Sequence, residues 1–125
     1  MTEKRLSLGK RGEELAAALL RKSGYRILET NYRGKLGEID LIAEEGRCLV
    51  FVEVKTRSGL ECGHPLEGID SRKQRQLVRA AREYMARENC QERVCRFDAV
   101  SVLTDGAAPR LELVKNIIEL DGDFF

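Results

Sequence analysis

Residues 47–56, Arg-Cys-Leu-Val-Phe-Val-Glu-Val-Lys-Thr, constrain this chain more than any other stretch. A near-continuous apolar run of this length reads as a β-strand buried on both faces. Such a strand needs a layer on each side, which points to a sheet flanked by helices. The run ends in charge. Glu53 and Lys55 stand two residues apart, so they project from the same face. Burying two charges is costly unless they pair or bind a cation. Two readings therefore stand at this point: a salt bridge at a strand end, or a polar site built on the strand.

The flanking sequence supplies the layers. Residues 7–23 read as a helix, with Ser7 as its cap, Gly24 after its end, and Leu8, Gly12, Leu15, Ala16 and Leu19 on one face. Residues 25–32 and 38–44 read as strands separated by a turn region containing Gly34 and Gly37. Glu45-Gly46 turns the chain into the apolar run, and a loop with Pro65 spans 58–70. Residues 71–88 read as a second helix, its inner face formed by Leu77, Ala80, Ala81, Tyr84 and Met85. Residues 97–103 and 110–118 complete the order as a fourth and a fifth strand. The expected architecture is α/β: one domain over residues 1–125, a mixed central sheet with helices on opposite faces.

Asp40 lies in the strand before the apolar run. If the two strands pair antiparallel around Glu45-Gly46, Asp40 sits about as far before the turn as Glu53 sits after it. Two carboxylates there, with a backbone carbonyl such as that of Val54, suit Mg²⁺ or Mn²⁺ that keeps most of its waters. Such an ion activates water and stabilises charge on a phosphate, and Lys55 is placed to assist. On the helical wheel Glu14 points to solvent. Glu13 lies on the flank of the apolar face and is the better helix-borne ligand, the plain alternative being a solvated carboxylate. Glu38 shares a face with Asp40 in a regular strand, but its place after Gly37 favours a turn residue that caps local backbone.

Gly12-Glu13, then Gly37-Glu38-Ile39-Asp40-Leu41-Ile42, then Val52-Glu53-Val54-Lys55-Thr56-Arg57 together resemble the PD-(D/E)XK nuclease superfamily. The pattern is similar to that of archaeal Holliday-junction resolvases, and closer to the bacterial YraN-like family. The family pattern also takes in Asn31-Tyr32-Arg33, a helix-borne lysine at Lys73 and Arg96-Phe97-Asp98. The resemblance implies a restriction-endonuclease-like α-β-β-β-α-β core. It places metal ligands at Glu13, Asp40 and Glu53, and catalytic roles at Asp40, Glu53 and Lys55. Two positions depart from the superfamily pattern: Ile39 stands where many members have Pro, and Lys73 where relatives often have Gln. The implied activity is Mg²⁺-dependent cleavage of DNA phosphodiesters, with branched DNA as the substrate and a homodimer as the form that cuts two strands. The alternative is a nucleic-acid-binding or partner-dependent module that keeps the fold without catalysis.

Charge distribution adds the binding surface. Net charge is only +1, which by itself does not announce a nucleic-acid binder. Residues 1–35 nevertheless carry nine Lys or Arg against four acids, and residues 36–70 carry three against eight. The next segment, 71–96, is basic again, with eight against three. Acidic strands thus alternate with basic helical segments, a layout suited to cations held inside a phosphate-binding surface. Lys10, Arg11, Arg33 and Lys35 flank the proposed site, Arg57 follows Lys55 and either contacts phosphate or neutralises Asp98, and Lys73 lies on the flank of the second helix. Arg72, Arg75, Arg79 and Arg82 form a stripe opposite that helix's apolar face, more a solubilising surface than a grip on phosphate. Asp98 reads as a structural acid.

The remaining signals exclude more than they add. No apolar run is long enough for a leader or a membrane span, so the expected location is the cytoplasm. Four cysteines at 48, 62, 90 and 95 match no zinc spacing and read as free thiols, Cys48 as core filler. The lone histidine, His64, reads as a loop residue. The tail Phe124-Phe125 could dock on the core, a second copy or a partner.

Overall fold

A computed structural model describes residues 2–58, 69–104 and 108–119, the side chains of 2–8 and 58 excepted. Elements follow in the order α1 (Thr2–Lys22), β1 (Arg26–Arg33), β2 (Glu38–Glu45), β3 (Cys48–Ser58), α2 (Ser71–Arg87), β4 (Cys95–Thr104) and β5 (Arg110–Val114). The sheet runs β1-β2-β3-β4-β5. β3 and β4 are parallel, and the other neighbours are antiparallel. A parallel pair needs a crossover, which α2 provides. The mixed α/β architecture expected from the sequence is the one observed.

The central strand is buried on both sides, as its composition requires. Leu49, Val50, Phe51 and Val52 are at most 1% exposed. Val50 and Val52 pack with Ala16, Ala17 and Leu20 of α1, and with Leu41, Val100 and Val102. Leu49 and Phe51 face the other way, into Leu77, Ala80, Ala81, Tyr84 and Met85 of α2 with Ile42 and Phe97. The five α2 residues are those its sequence period selects. Each large apolar side chain buried here contributes about 1.5–3 kcal/mol, so both helices are fixed by their inner faces.

Several boundaries differ from the sequence reading. α1 begins at Thr2, so Ser7 lies within the helix and is not its cap; Glu3, Lys4, Arg5 and Leu6 are good helix formers and nothing among them stops the helix. The chain leaves α1 through Gly24, whose φ of 94° suits glycine. β5 ends at Val114 rather than continuing to 118. Asn116 takes a left-handed φ of 59°, a conformation that asparagine tolerates. The turned chain then donates the Ile117 N–H to the Phe97 carbonyl at 2.7 Å and buries Ile118 on the α2 face. His64, Cys62, Phe124 and Phe125 lie outside the described residues. Among the described residues, no helix is long and apolar enough to cross a membrane.

A candidate site where two strands part

β2 and β3 pair from Glu45↔Cys48 to Leu41↔Val52, where their ladder stops. β3 runs on to Ser58, still paired with β4. The parting has a local cause. Leu41 faces α1, whereas Ile39, two residues earlier, faces α2. A regular strand would put both on one face, so the alternation breaks at Asp40. Opposite the break, Asn31 of β1 has φ 52°, and Tyr32 after it turns into the α2 core beside Ile39. Both strands of the hairpin are kinked together.

Asp40 fills the gap this opens. Its Oδ2 accepts the Val54 N–H at 2.7 Å, replacing the ladder bond that β2 no longer supplies. Glu53, next on β3 after the last paired residue, is 9% exposed. Its carboxyl is pushed up to about 8, first by burial, then by its contact with the Asp40 carboxyl and that group's charge, with Lys73 acting in the opposite direction. Lys73 Nζ lies 3.1 Å from Glu53 Oε2. Oε2 is buried, and this ammonium is the cation placed against it. Lys73 reaches this point from the first turn of α2, where its N–H is capped by Asp70 Oδ1 at 2.9 Å. The ion pair of Glu53 is therefore with α2, not with Lys55. Lys55 is half-buried, two residues farther along the same side of β3.

Helix α1 brings the third carboxylate. Gly12 is buried against β3, and a Cβ there would collide with Thr56 Oγ1. Glycine thus lets α1 approach the far end of β3, and Glu13 follows at the gap. Glu13 is half-buried and its Oε1 is buried without a hydrogen bond. Its carboxyl is raised by burial first, then by the charge of Asp40, with Arg33 opposing and Glu38 adding. Glu14 is exposed, as its wheel position predicts.

The basic residues divide. Lys10 and Arg11 are exposed on α1 just before Glu13. Arg33 is exposed and 3.8 Å from Glu38, an exposed residue inside β2; Glu38 is therefore a strand residue in a surface ion pair, not a turn cap. The turn carrying Lys35 is fixed by Glu83 of α2, which accepts the N–H groups of Lys35 and Leu36 at 3.0 and 3.2 Å. Arg57 is half-buried and level with Leu103, while Asp98 is level with Val52. Five residues of strand separate the two positions, roughly 16 Å, so Arg57 does not neutralise Asp98. The stripe Arg72, Arg75, Arg79 and Arg82 is exposed.

Asp98 has its own partners. Fully buried, it accepts from Tyr25 Oη at 2.8 Å, from Arg96 Nε and Nη2 at 2.8 and 2.9 Å, and from the Asn116 N–H at 2.9 Å. Arg96 Nη2 also donates to Glu45 Oε1 at 2.7 Å, and Lys115 Nζ donates to Glu45 Oε2 at 2.9 Å. This acid is structural. Cys48, Cys90 and Cys95 are free, and burial pushes the Cys95 thiol up to about 11, which removes it as a nucleophile near neutral pH.

The whole pattern can be placed among known proteins. The model of the uncharacterised protein family UPF0102 matches residues 12–102. The chain belongs to this family. It is the YraN-like family whose motifs the sequence resembles. A UPF0102 protein of Moorella thermoacetica is 47% identical over 99% of this chain and 100% of its own length, and one of Syntrophotalea carbinolica is 43% identical over 98% and 99%. Among solved structures the chain is similar to Hjc, a Holliday junction resolvase of Archaeoglobus fulgidus, at 21% identity and a TM-score of 0.43, over 92% of this chain and 89% of that one.

Chemically, the site offers hard oxygen donors. Asp40 and Glu53 are adjacent, Glu53 Oε2 and Glu13 Oε1 lack hydrogen bonds, and the Val54 carbonyl belongs to the same strand segment. A two-carboxylate set fits Mg²⁺ or Mn²⁺, which bind through one or two carboxylates and retain waters. Among the described residues, no three Asp, Glu, His or Cys side chains converge into a ready-made cage. Glu13 stands within electrostatic reach of Asp40 without joining such a cage. Three positioning features escaped the sequence reading: the Asn31 kink, the Gly12–Thr56 approach and the Glu83 clamp. Asn31 and Gly12 did stand in the motifs quoted for the family; nothing marked Glu83.

Proposed function

We propose that this protein is a metal-dependent nuclease that cleaves DNA phosphodiesters, with branched DNA as its substrate and a homodimer as the form that cuts both strands of a junction. The observation that carries the reading is the pair Asp40 and Glu53 where β2 and β3 part, one oxygen of Asp40 fixed by the Val54 N–H and Glu53 Oε2 buried without a hydrogen bond. The structural acid Asp98 is closed by four hydrogen bonds, whereas this pair has the Val54 amide and one partly exposed lysine.

Asp40 and Glu53 would hold Mg²⁺ or Mn²⁺, with Glu13 drawn in from α1. The bound ion would supply a lowered pKa for water and charge stabilisation on phosphate. The residues of the chain do the rest. Glu53 and Asp40 fix the position of the reacting group through a strand held on its other side by β4. Lys55 projects beside Glu53, where its ammonium stabilises charge developing on the phosphate. Lys10, Arg11, Arg33, Arg57 and Lys73 contact the nucleic-acid backbone and position it without reading sequence.

Isothermal titration of Mg²⁺ and Mn²⁺ into wild type and Glu53→Ala, with cleavage assays on junction, flap, single-stranded and duplex DNA, tests this. Metal binding and cleavage are expected in wild type and lost in the variant, with a folded variant by circular dichroism. Cleavage at wild-type rates in Glu53→Ala sinks the mechanism. The ion pair between Lys73 and Glu53 favours a second reading, in which the carboxylate is satisfied internally and the chain is a binding module. DNA binding that falls steeply with salt but ignores Mg²⁺ would select it.

A further inference from the structure

Lys73 is held where a cation is required. Glu53 is buried beside the Asp40 carboxyl, and the Lys73 ammonium is the positive group placed against its Oε2, at 3.1 Å. That contact is a single ion pair to one flexible side chain. The Lys73 backbone is fixed by the Asp70 cap at the start of α2, whereas its side chain is 34% exposed and has open solvent to move into. A four-carbon stem swings its charge by several ångströms at little cost. Once both carboxyls are ionised, one monovalent ammonium balances them incompletely, and a divalent ion would balance both.

We propose that Lys73 is a placeholder cation: its ammonium occupies Glu53 in the metal-free protein, is displaced when a divalent ion binds to Asp40 and Glu53, and then contacts the nucleic-acid phosphate beside the same site. This rests on the reading of Asp40 and Glu53 as metal ligands and adds a competition to it. Metal loading releases a cation toward the substrate, so loading and phosphate binding reinforce each other. The same contact keeps the metal-free protein folded by shielding a carboxylate that would otherwise face Asp40 alone.

The test is titration of Mn²⁺, without nucleic acid, into wild type, Lys73→Met and Arg75→Met, with thermal melts in chelator and in saturating Mn²⁺. Arg75 is exposed on the same helix, so its variant removes an equal charge without touching Glu53. Lys73→Met is expected to bind Mn²⁺ roughly three- to tenfold more tightly, to melt lower than wild type in chelator, and to recover in Mn²⁺. Arg75→Met is expected to match wild type in Mn²⁺ affinity. Should Lys73→Met fail to fold, Lys73→Gln keeps a polar side chain and carries the same expectation. Equal or weaker Mn²⁺ binding in the Lys73 variants, or equal tightening in Arg75→Met, overturns the placeholder while leaving the metal site standing. Absence of Mn²⁺ binding in every protein overturns both.

Discussion

Two clusters of acids are buried in this sheet, and they are built on opposite terms. Around Asp98 every acceptor is used: tyrosine, guanidinium and backbone amide close on the carboxylate, and Glu45 is held by Arg96 and Lys115. Around Asp40 and Glu53 there are more acids than partners, and two buried carboxylate oxygens, on Glu13 and Glu53, have no hydrogen bond. Buried polar atoms are nearly always paired in folded proteins, so an exception beside a satisfied cluster marks where the molecule bears a cost for something other than stability. Asp98 fastens the fold. Asp40 and Glu53 are tolerated by it.

The largest effect that would sharpen this contrast is in stability. Asp98→Ala strips Arg96 and Tyr25 of their acceptor, and should lower unfolding free energy by about 3–5 kcal/mol in urea titrations. A loss near zero would erase the distinction between the clusters. Glu53→Gln should do the reverse: on the proposed nuclease reading, cleavage falls more than about a hundredfold while the metal-free protein melts no lower than wild type. A large drop in melting temperature would make Glu53 structural after all.

The two clusters should also oppose each other in pH. Burial raises the Glu53 carboxyl from 4.5 to about 8. With chelator present, its contribution to stability is complete below about 4.5 and is lost as pH rises through about 8. The Glu45 carboxyl is depressed by its hydrogen bonds to Lys115 and Arg96, so its contribution is present above its ordinary 4.5 and is lost as pH falls. Melts across pH should show the alkaline loss vanish in Glu53→Gln and the acid loss shrink in Glu45→Gln. A smaller effect comes from the helix approach. Gly12→Ala should cost about 1–3 kcal/mol by overpacking against Thr56, and Thr56→Ala should restore part of it; an unchanged double variant would refute the close contact. Smallest of all, Glu38→Gln should change stability by within about 0.5 kcal/mol.

How much of this could be read beforehand depended on whether the information was local. The inner face of α2 followed from its period, and the alignment of Asp40 with Glu53 followed from counting outward from Glu45-Gly46, because a tight hairpin fixes register. The limit appears in two similar patterns. Glu53-Val54-Lys55 and Arg96-Phe97-Asp98 each set opposite charges two apart on a buried strand. Arg96 and Asp98 do pair, at 2.8 Å, but Glu53 pairs with Lys73 twenty residues on. Only the crossover geometry decides between these outcomes, and no local pattern encodes it. The Asn31 kink was hidden for another reason: an asparagine with positive φ has the same letter as any other.

The bond from the Val54 amide to Asp40 has a use beyond architecture. A short bond to a carboxylate deshields the amide proton, so in a proton–nitrogen correlation spectrum Val54 should resonate well downfield of its strand neighbours. Charge drawn from Asp40 by an arriving cation would weaken that deshielding. On the proposed metal reading, that one backbone resonance would gauge cation binding between β2 and β3.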